Sequence, residues 1–243
     1  LWLPLAAPSL AAVLAYGTGS VLNVAVRDAD ERKLRQAFAR YVAPHILDKV
    51  LQSSESVDIR GHKRQLTLLF SDIKGYTTLS NTLQADEIVE LLCTYLDAMV
   101  EIILSHEGTV DKIMGDGIMA FFGDPLPQKD HALRCIKAAL DMQRAVGRMG
   151  EKWVARGLSP LQVRIGIATG EVFVGSIGSR QHLEYTAIGR PVNLAARLEG
   201  KAPPGGVLIS RETWELVKDD VAAREVRGLD LKGYSGGYDA WLV

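Results

Sequence analysis

The feature that most constrains the fold is residues 109–123, where two apolar runs flank the sequence Met-Gly-Asp-Gly. Glycine tolerates positive φ and aspartate can bond its own backbone, so Gly115-Asp116-Gly117 has the chemistry of a tight turn. The simplest local structure is a β-hairpin with a carboxylate at its tip. Because Asp-Gly is a common turn dipeptide, a purely structural role for Asp116 stays open from this hairpin alone.

A second aspartate, Asp72, stands in the same kind of place, at the end of an apolar strand predicted over residues 65–73. Gly75 and a predicted helix start follow, and their backbone N–H groups can hold phosphate, although strand–Asp–Gly turns are also common structural features. If the two strands are neighbours, Asp72 and Asp116 meet at one end of the sheet. Paired carboxylates suit Mg²⁺, which completes its shell with water and substrate phosphates, and two such ions favour attack at phosphorus.

Apolar periodicity predicts the remaining helices and strands. Helices are predicted over 86–106, 130–156, 192–199 and 211–217, and strands over 161–169, 171–178, 183–188 and 207–209. Because hairpins are mixed with helices, the predicted class is α+β rather than doubly wound. Cys93 and Cys135 each lie on an apolar helical pattern, which favours two buried free thiols.

Residues 1–26 carry no charged side chain, and about 20 such residues span a bilayer, so a transmembrane helix is predicted there. A signal peptide and a buried soluble helix are the alternatives, and the missing basic leader disfavours the first. Basic residues from Arg27 onward place the rest of the chain on the cytoplasmic side of the cell inner membrane. Residues 27–57 are predicted to form a helical linker with a short coiled coil, and residues 58–243 one globular domain.

The formal net charge of −1 shows no electrostatic footprint of a nucleic-acid-binding surface, so no nucleic acid partner is expected. The chain also lacks the Gly-x-x-x-x-Gly-Lys-[Ser/Thr] phosphate loop, which argues against a Walker-type nucleotide triphosphatase.

Asn193 and Arg197 are four residues apart on a predicted helix and therefore share one face. An arginine presented in this way can neutralise charge that grows on a phosphoryl group, while the alternative is an ordinary solvated helix face. Lys112 lies on the first arm of the hairpin and points to the opposite sheet face from Ile113. An isolated strand lysine is usually solvated.

Residues 70–77, 112–117 and 186–197 together resemble, in the right order, the motifs of the class III nucleotide cyclases. The resemblance covers roughly residues 60–243. It implies a ferredoxin-like βαββαβ core with extra C-terminal strands, and an enzyme that holds two Mg²⁺ or Mn²⁺ ions in each active site.

The resemblance also assigns roles to positions of this sequence. Metal binding falls on Asp72, Ile73 and Asp116. Ribose orientation and transition-state stabilisation fall on Asn193 and Arg197. Nucleotide contacts fall on Lys112 and Thr186 at the purine, on Gly75, Tyr76 and Thr77 at the phosphates, and on Lys232 as a poorly matched triphosphate-binding lysine.

Lys112 and Thr186 predict ATP as the substrate, with cyclic AMP and pyrophosphate as products. A lysine ammonium can donate to adenine N1, and a hydroxyl can accept from the adenine amino group. Guanylate cyclases of the family commonly carry an acid at the lysine position. Many adenylate cyclases have aspartate where this chain has Thr186, which resembles the subgroup often stimulated by bicarbonate. The alternatives are a guanylate cyclase and a catalytically silent nucleotide-binding regulatory module.

In this family the active site forms between two catalytic domains, one supplying the aspartates and the other the purine and ribose residues. All six residues are present in this chain, which implies a homodimer with two equivalent sites. Residues 1–57 resemble the last membrane span and transducer element of receptor-type bacterial cyclases. Contact of residues 1–26 with membrane lipid and a sensor region upstream are therefore expected.

Overall fold

The computed structural model describes residues 61–155, 159–179, 182–234 and 236–243. The transmembrane helix predicted over 1–26 and the linker predicted over 27–57 lie outside these residues. In the part of the chain that is described, no helix combines the length and the apolar character that crossing a bilayer requires.

The described residues form eight strands and five helices. In chain order they are β1 His62–Ile73, α1 Tyr76–Ser80, α2 Ala85–Ser105, β2 Thr109–Met114, β3 Gly117–Phe122, α3 His131–Ala155, β4 Val163–Ser179, β5 His182–Ile188, α4 Arg190–Lys201, β6 Val207–Ile209, α5 Arg211–Val217, β7 Arg224–Leu229 and β8 Tyr238–Leu242.

These strands lie in one sheet with the order β2-β3-β1-β4-β6-β8-β7, and β5 pairs with β4 outside that path. Along this order, the pairs β2–β3, β3–β1 and β1–β4 are antiparallel, and the pair β4–β6 is parallel. The order β4-β1-β3-β2, with helices after β1 and β3, is that of a ferredoxin-like βαββαβ core. The predicted α+β class and the additional C-terminal strands are therefore confirmed.

Alternation of side chains along β1 divides the core into two clusters. Leu69 and Ile73 pack with α2 and α3 on one face of the sheet. Leu66 and Leu68 pack with α4 on the other face. The same alternation turns Asp72 toward the α4 side, so the end of a buried central strand carries a carboxylate beneath that helix.

The structure corrects the prediction of two strands separated at Gly170, because β4 is a single strand of 17 residues. Glycine is needed there for close packing and not for a turn. A Cβ on Gly170 would lie 2.6 Å from Pro191 Cγ at the start of α4. At Gly166 the approach is closer still, since a Cβ would lie 2.1 Å from the Glu199 nitrogen and 2.2 Å from the Ala195 oxygen.

Replacing Gly166 by alanine is expected to lower the free energy of unfolding by about 3 kcal/mol or more, because the new methyl group meets α4 backbone that cannot rotate away. Gly147 is the matched control. It is exposed within α3 with no atom near its Cβ position, so Gly147→Ala should stabilise by roughly 0.5–1 kcal/mol. Denaturant unfolding of both variants measures the difference, and equal effects would contradict the proposed packing.

The prediction of two buried thiols is correct for Cys135 and wrong for Cys93, which is exposed. The buried face of α2 repeats every four residues, through Leu91, Tyr95, Met99 and Ile103. Cys93 lies two residues after Leu91 and therefore points away from that face.

Candidate active site

Asp72 and Asp116 lie side by side at one end of the sheet, as the sequence predicts. Asp116 is in the β2–β3 turn, and its Oδ2 accepts a hydrogen bond from the Ile73 N–H at 3.1 Å. Gly117 allows this closeness, because a Cβ there would lie 3.3 Å from the Ser71 carbonyl oxygen and 3.7 Å from Asp72 Oδ1. Ile73 thus supplies its N–H to the turn, and its assignment as a metal ligand stays a prediction.

Two further charged residues complete this cluster and were not singled out from the sequence. Arg164 stands directly opposite Asp72 in the β1–β4 register. Its Nη2 lies 2.8 Å from Asp72 Oδ2 and 2.9 Å from Glu199 Oε1 of α4. A charged residue inside the apolar run of β4 was the available signal, since a cation in a central strand needs a partner.

The cluster holds three carboxylates around one guanidinium, and burial, together with this excess of negative charge, raises the pKa values of two of the carboxyl groups. Burial and the neighbouring charge of Asp72 raise the pKa of Asp116 to about 6. Burial raises the pKa of Glu199 to about 7, with Asp72 and Asp116 adding to the rise and Arg164 opposing it. The carboxylates are therefore costly to ionise together unless further positive charge is supplied.

The donor set fits a hard divalent cation. Among the residues that the structure describes, no group of three or more His, Cys, Asp or Glu side chains is arranged to hold a metal. Mg²⁺ needs fewer, because it is commonly bound through one or two carboxylates and keeps waters and substrate phosphates as its other ligands. Asp72 and Asp116 supply such a pair, and a cation between them would offset the charge that raises the Asp116 pKa.

Glu199 predicts a pH dependence of stability in metal-free protein. Its pKa rises from 4.5 when unfolded to about 7 when folded, so the folded state binds the extra proton between these values. Stability must therefore fall as pH rises through this window. Between pH 5 and 7.5 the free energy of unfolding of the wild-type protein should decrease by roughly 1–3 kcal/mol more than that of Glu199→Gln. Denaturant unfolding in EDTA measures both values. Glu151→Gln, on the exposed side of α3, should keep the wild-type slope; identical slopes for all three proteins would contradict the assignment.

Gly75, Tyr76 and Thr77 lie between the end of β1 and the first turn of α1, three to five residues after Asp72. Gly75 caps the five-residue helix α1 with φ of 75°, and its carbonyl accepts from the N–H groups of Thr78 and Leu79. The Tyr76 side chain packs against the core, whereas Thr77 is exposed. The phosphate-binding role of this segment stays a prediction.

A second cluster joins β2 to β5 and contains Lys112 and Thr186. Lys112 is half-buried, and its Nζ lies 2.7 Å from Glu184 Oε2, so the alternative of a merely solvated lysine is wrong. Thr186 donates its hydroxyl to Asp111 Oδ2 at 2.7 Å. Asp111 was not singled out from the sequence, because a charged residue in a predicted strand is usually a solvated surface residue. Burial raises the pKa of this carboxyl, and the Thr186 and Lys112 contacts oppose the rise.

The strand β5 is anchored next to Thr186 by a buried carboxylate. Asp124 accepts hydrogen bonds from the Tyr185 hydroxyl and from Arg64 Nη1, the latter at 2.9 Å. His62 Nε2 lies 3.0 Å from the same carboxylate. These contacts tie the start of β1 and the loop after β3 to β5, and they hold Thr186 at a defined position.

The predicted residues Asn193, Arg197 and Lys232 lie on or beside α4. The Arg197 guanidinium stands 5.8 Å above the Tyr234 ring. A Cβ on Gly233 would lie 3.3 Å from Arg197 Nη1, so the turn that carries the exposed Lys232 contacts Arg197. Asn193 is exposed one helical turn before Arg197.

Arg197 and the aspartate cluster lie on different sides of α4. Glu199 reaches toward Arg164 and Asp72, whereas residues two apart on a helix do not face the same way. Arg197 accordingly contacts Tyr234 and the 232–234 turn instead. One chain thus presents its carboxylates and its predicted ribose-binding residues in different directions.

The chain matches known proteins over the region that contains these clusters. The family described as Adenylate and Guanylate cyclase catalytic domain matches residues 60–243. Adenylate cyclase 1 of Rhizobium meliloti (strain 1021) is 32% identical over 226 residues, which cover 92% of this chain and 34% of that protein. An adenylate cyclase of Mycobacterium tuberculosis (strain ATCC 25618 / H37Rv) is 29% identical over 219 residues, which cover 90% of this chain and 48% of that protein. The chain therefore spans less than half the length of these curated relatives.

Solved structures show the same relationship. The adenylyl cyclase CyaB from P. aeruginosa is 40% identical with a TM-score of 0.73, over 75% of this chain and 95% of that chain. The guanylyl cyclase Cya2 is 38% identical with a TM-score of 0.71, over 75% of this chain and 93% of that chain.

Proposed function

Because the chain belongs to the family of adenylate and guanylate cyclase catalytic domains, we propose that it is an adenylate cyclase, which forms 3′,5′-cyclic AMP and pyrophosphate from ATP. The observation that carries the proposal is the pair Asp72 and Asp116, joined through the Ile73 N–H and left with more negative charge than Arg164 offsets. The names of the similar adenylate cyclases support it.

Asp72 and Asp116 are the residues that would hold Mg²⁺ or Mn²⁺, two ions in each active site. When bound, the ions lower the pKa of the ribose 3′-hydroxyl that attacks the α-phosphorus and offset charge on the departing pyrophosphate. Asp116 is aligned for this by the Ile73 N–H, and Asp72 by Arg164. The guanidinium of Arg164 adds a fixed positive charge beside the site of phosphoryl transfer.

We assign the purine to Lys112 and Thr186. Lys112 donates to adenine N1, while Glu184 and Asp111 hold its ammonium group in place. Thr186 accepts from the adenine amino group. Asn193 and Arg197 orient the ribose and stabilise the transition state, and Lys232 lies on the turn that contacts Arg197.

The active site is shared between two copies of the chain in this proposal. Support comes from α4, which directs Glu199 to the aspartates of its own chain and Arg197 away from them. A second support is exposed apolar surface near Thr186. Phe173 and Ile188 are paired across β4 and β5, and 40% and 55% of their surfaces are exposed. A partner subunit would cover such a surface.

Product identification after incubation with ATP or GTP, in Mg²⁺ or Mn²⁺, tests the proposal. Cyclic AMP from ATP, formed faster than cyclic GMP from GTP, is the expected result. The similarity to the guanylyl cyclase Cya2 makes guanylate cyclase the second candidate, and preferential formation of cyclic GMP would establish it. Nucleotide binding without either product would instead indicate a regulatory module.

We also propose that the enzyme is anchored in the cell inner membrane, because residues 1–26 are uncharged and basic residues follow them. The full chain should sediment with membranes and be released by detergent but not by alkaline carbonate. Release by carbonate would contradict a membrane span. An upstream sensor region belongs to the same proposal.

A further inference from the structure

A β-bulge places two consecutive residues of β2 against β5. Val110 pairs with Ala120 and Lys112 with Met119, so Asp111 is the extra residue at the irregularity. Consecutive strand residues ordinarily point to opposite faces, but a bulge re-aims one of them. Asp111 therefore contacts Thr186, while Lys112 contacts Glu184. Glu184 and Thr186 are two residues apart on β5 and lie on the same face of that strand.

The Asp111 carboxylate decides which way the Thr186 hydroxyl points. Asp111 Oδ2 accepts from the Ala187 N–H at 3.1 Å, and a backbone N–H can only donate. The Lys112 ammonium lies 3.3 Å from the other oxygen, Oδ1, so Asp111 is a carboxylate with no hydrogen of its own, and the Thr186 hydroxyl, 2.7 Å away, donates its only hydrogen to Oδ2. Only 3% of Asp111 and 8% of Thr186 are exposed, so water does not compete for the bond.

Because its hydrogen is donated to Asp111, the Thr186 hydroxyl can only accept a hydrogen bond from a ligand. Adenine presents an amino donor at position 6, whereas guanine presents a carbonyl acceptor there. A freely rotating threonine could satisfy either base by turning its hydrogen toward or away from it. With the hydrogen held by Asp111, the oxygen suits the adenine amino group and leaves the guanine carbonyl facing another acceptor.

We propose that Asp111 is a specificity-determining residue, which favours adenine over guanine by fixing the Thr186 hydroxyl as an acceptor. It acts through Thr186 and not by touching the base. The inference rests on the proposed function, because it takes Lys112 and Thr186 as the purine site.

The test measures the affinities of α,β-methylene-ATP and α,β-methylene-GTP for the full chain by titration calorimetry, together with kcat/KM for ATP and GTP. Asp111→Ala should reduce the preference for adenine by roughly tenfold in both ratios, since one oriented hydrogen bond is lost. Each ratio is taken within one variant, so a smaller folded fraction lowers both values equally and cancels. Asp111→Asn keeps an oxygen acceptor for Thr186 and Ala187, and it should retain most of the preference.

A double-mutant cycle separates this effect from a displaced Lys112, which also lies 3.3 Å from Asp111. Thr186→Val keeps the shape of the side chain and removes the hydroxyl. In that background Asp111→Ala should leave the adenine-to-guanine ratio unchanged. An equal tenfold loss in both backgrounds, or an unchanged ratio in Asp111→Ala alone, overturns the inference.

The two proposals fail in different ways. A wild-type chain that makes cyclic AMP and prefers adenine, with Asp111→Ala retaining that preference, refutes the role of Asp111 alone. A chain that makes no cyclic nucleotide, yet loses its adenine preference in Asp111→Ala, refutes the cyclase and supports the role of Asp111. Wild-type protein that binds both analogues equally, or neither of them, overturns the inference directly.

Discussion

Replacing Asp116 by asparagine is expected to lower the rate of cyclic AMP formation by about a thousandfold or more. The amide oxygen can still accept the Ile73 N–H at the hairpin turn, so the local structure should survive. The substitution removes a negative charge beside Asp72 and therefore lowers the affinity of the site for a divalent cation. Metal assistance is worth several kcal/mol of transition-state stabilisation, and each 1.36 kcal/mol is tenfold in rate.

Cyclic AMP assays at saturating ATP, with Mn²⁺ and Mg²⁺ titrated separately, measure this loss. Asp219→Asn is the matched control, because Asp219 is an exposed aspartate in the turn after α5. The control should keep wild-type activity. Thermal unfolding adds a second readout, since added Mn²⁺ should raise the melting temperature of wild-type protein and not that of Asp116→Asn. Activity of Asp116→Asn within tenfold of wild type would remove the metal assignment.

Mixing two inactive variants, Asp72→Ala and Arg197→Ala, is expected to restore cyclic AMP formation. Asp72 belongs to the carboxylate cluster, whereas Arg197 lies on the other side of α4 over Tyr234. If each site combines the aspartates of one protomer with Arg197 of its partner, a mixed dimer contains one intact site and one doubly damaged site. Random pairing makes half of the dimers mixed, so about a quarter of wild-type activity should return.

Co-expression with two different affinity tags allows the mixed dimers to be isolated, and these should show about half of wild-type activity per dimer, because one of their two sites is intact. The control pairs Asp72→Ala with Asp116→Asn. Both changes then damage the same half of a site, so neither site of a mixed dimer is complete and no activity should return. Recovery in this control, or none in the first mixture, would contradict a site shared between protomers.

Part of the site could be predicted from local patterns. The turn chemistry of Gly115-Asp116-Gly117 predicted the hairpin, and the apolar run before Asp72 predicted a central strand; both are correct because burial and backbone preference act locally. The convergence of the two aspartates also followed, because it needed only that two strand ends lie at the same edge of the sheet. The roles of these residues in catalysis stay predictions until the variants are assayed.

The residues that sequence reasoning missed act across long separations. Arg164 reaches Asp72 from a strand 92 positions later, and Asp111 meets Thr186 across 75 positions. The bulge at Asp111 follows from strand pairing and leaves no periodic mark in the sequence. Gly170 was misread as a strand break for a similar reason, since the group that demands glycine there is Pro191 of a helix packed above.

The sequence by itself determined the α+β class, the two aspartate turns and the motifs that place the chain among the cyclases, because these depend on residue type and short spacing. Only the tertiary structure decided which groups hold those aspartates, how Thr186 is oriented, and that Arg197 faces away from the carboxylates of its own chain. Those properties depend on the packing of α4 against β4 and on the pairing of β2 with β3 beside β5. Contacts between distant segments set both, and no local pattern encodes them.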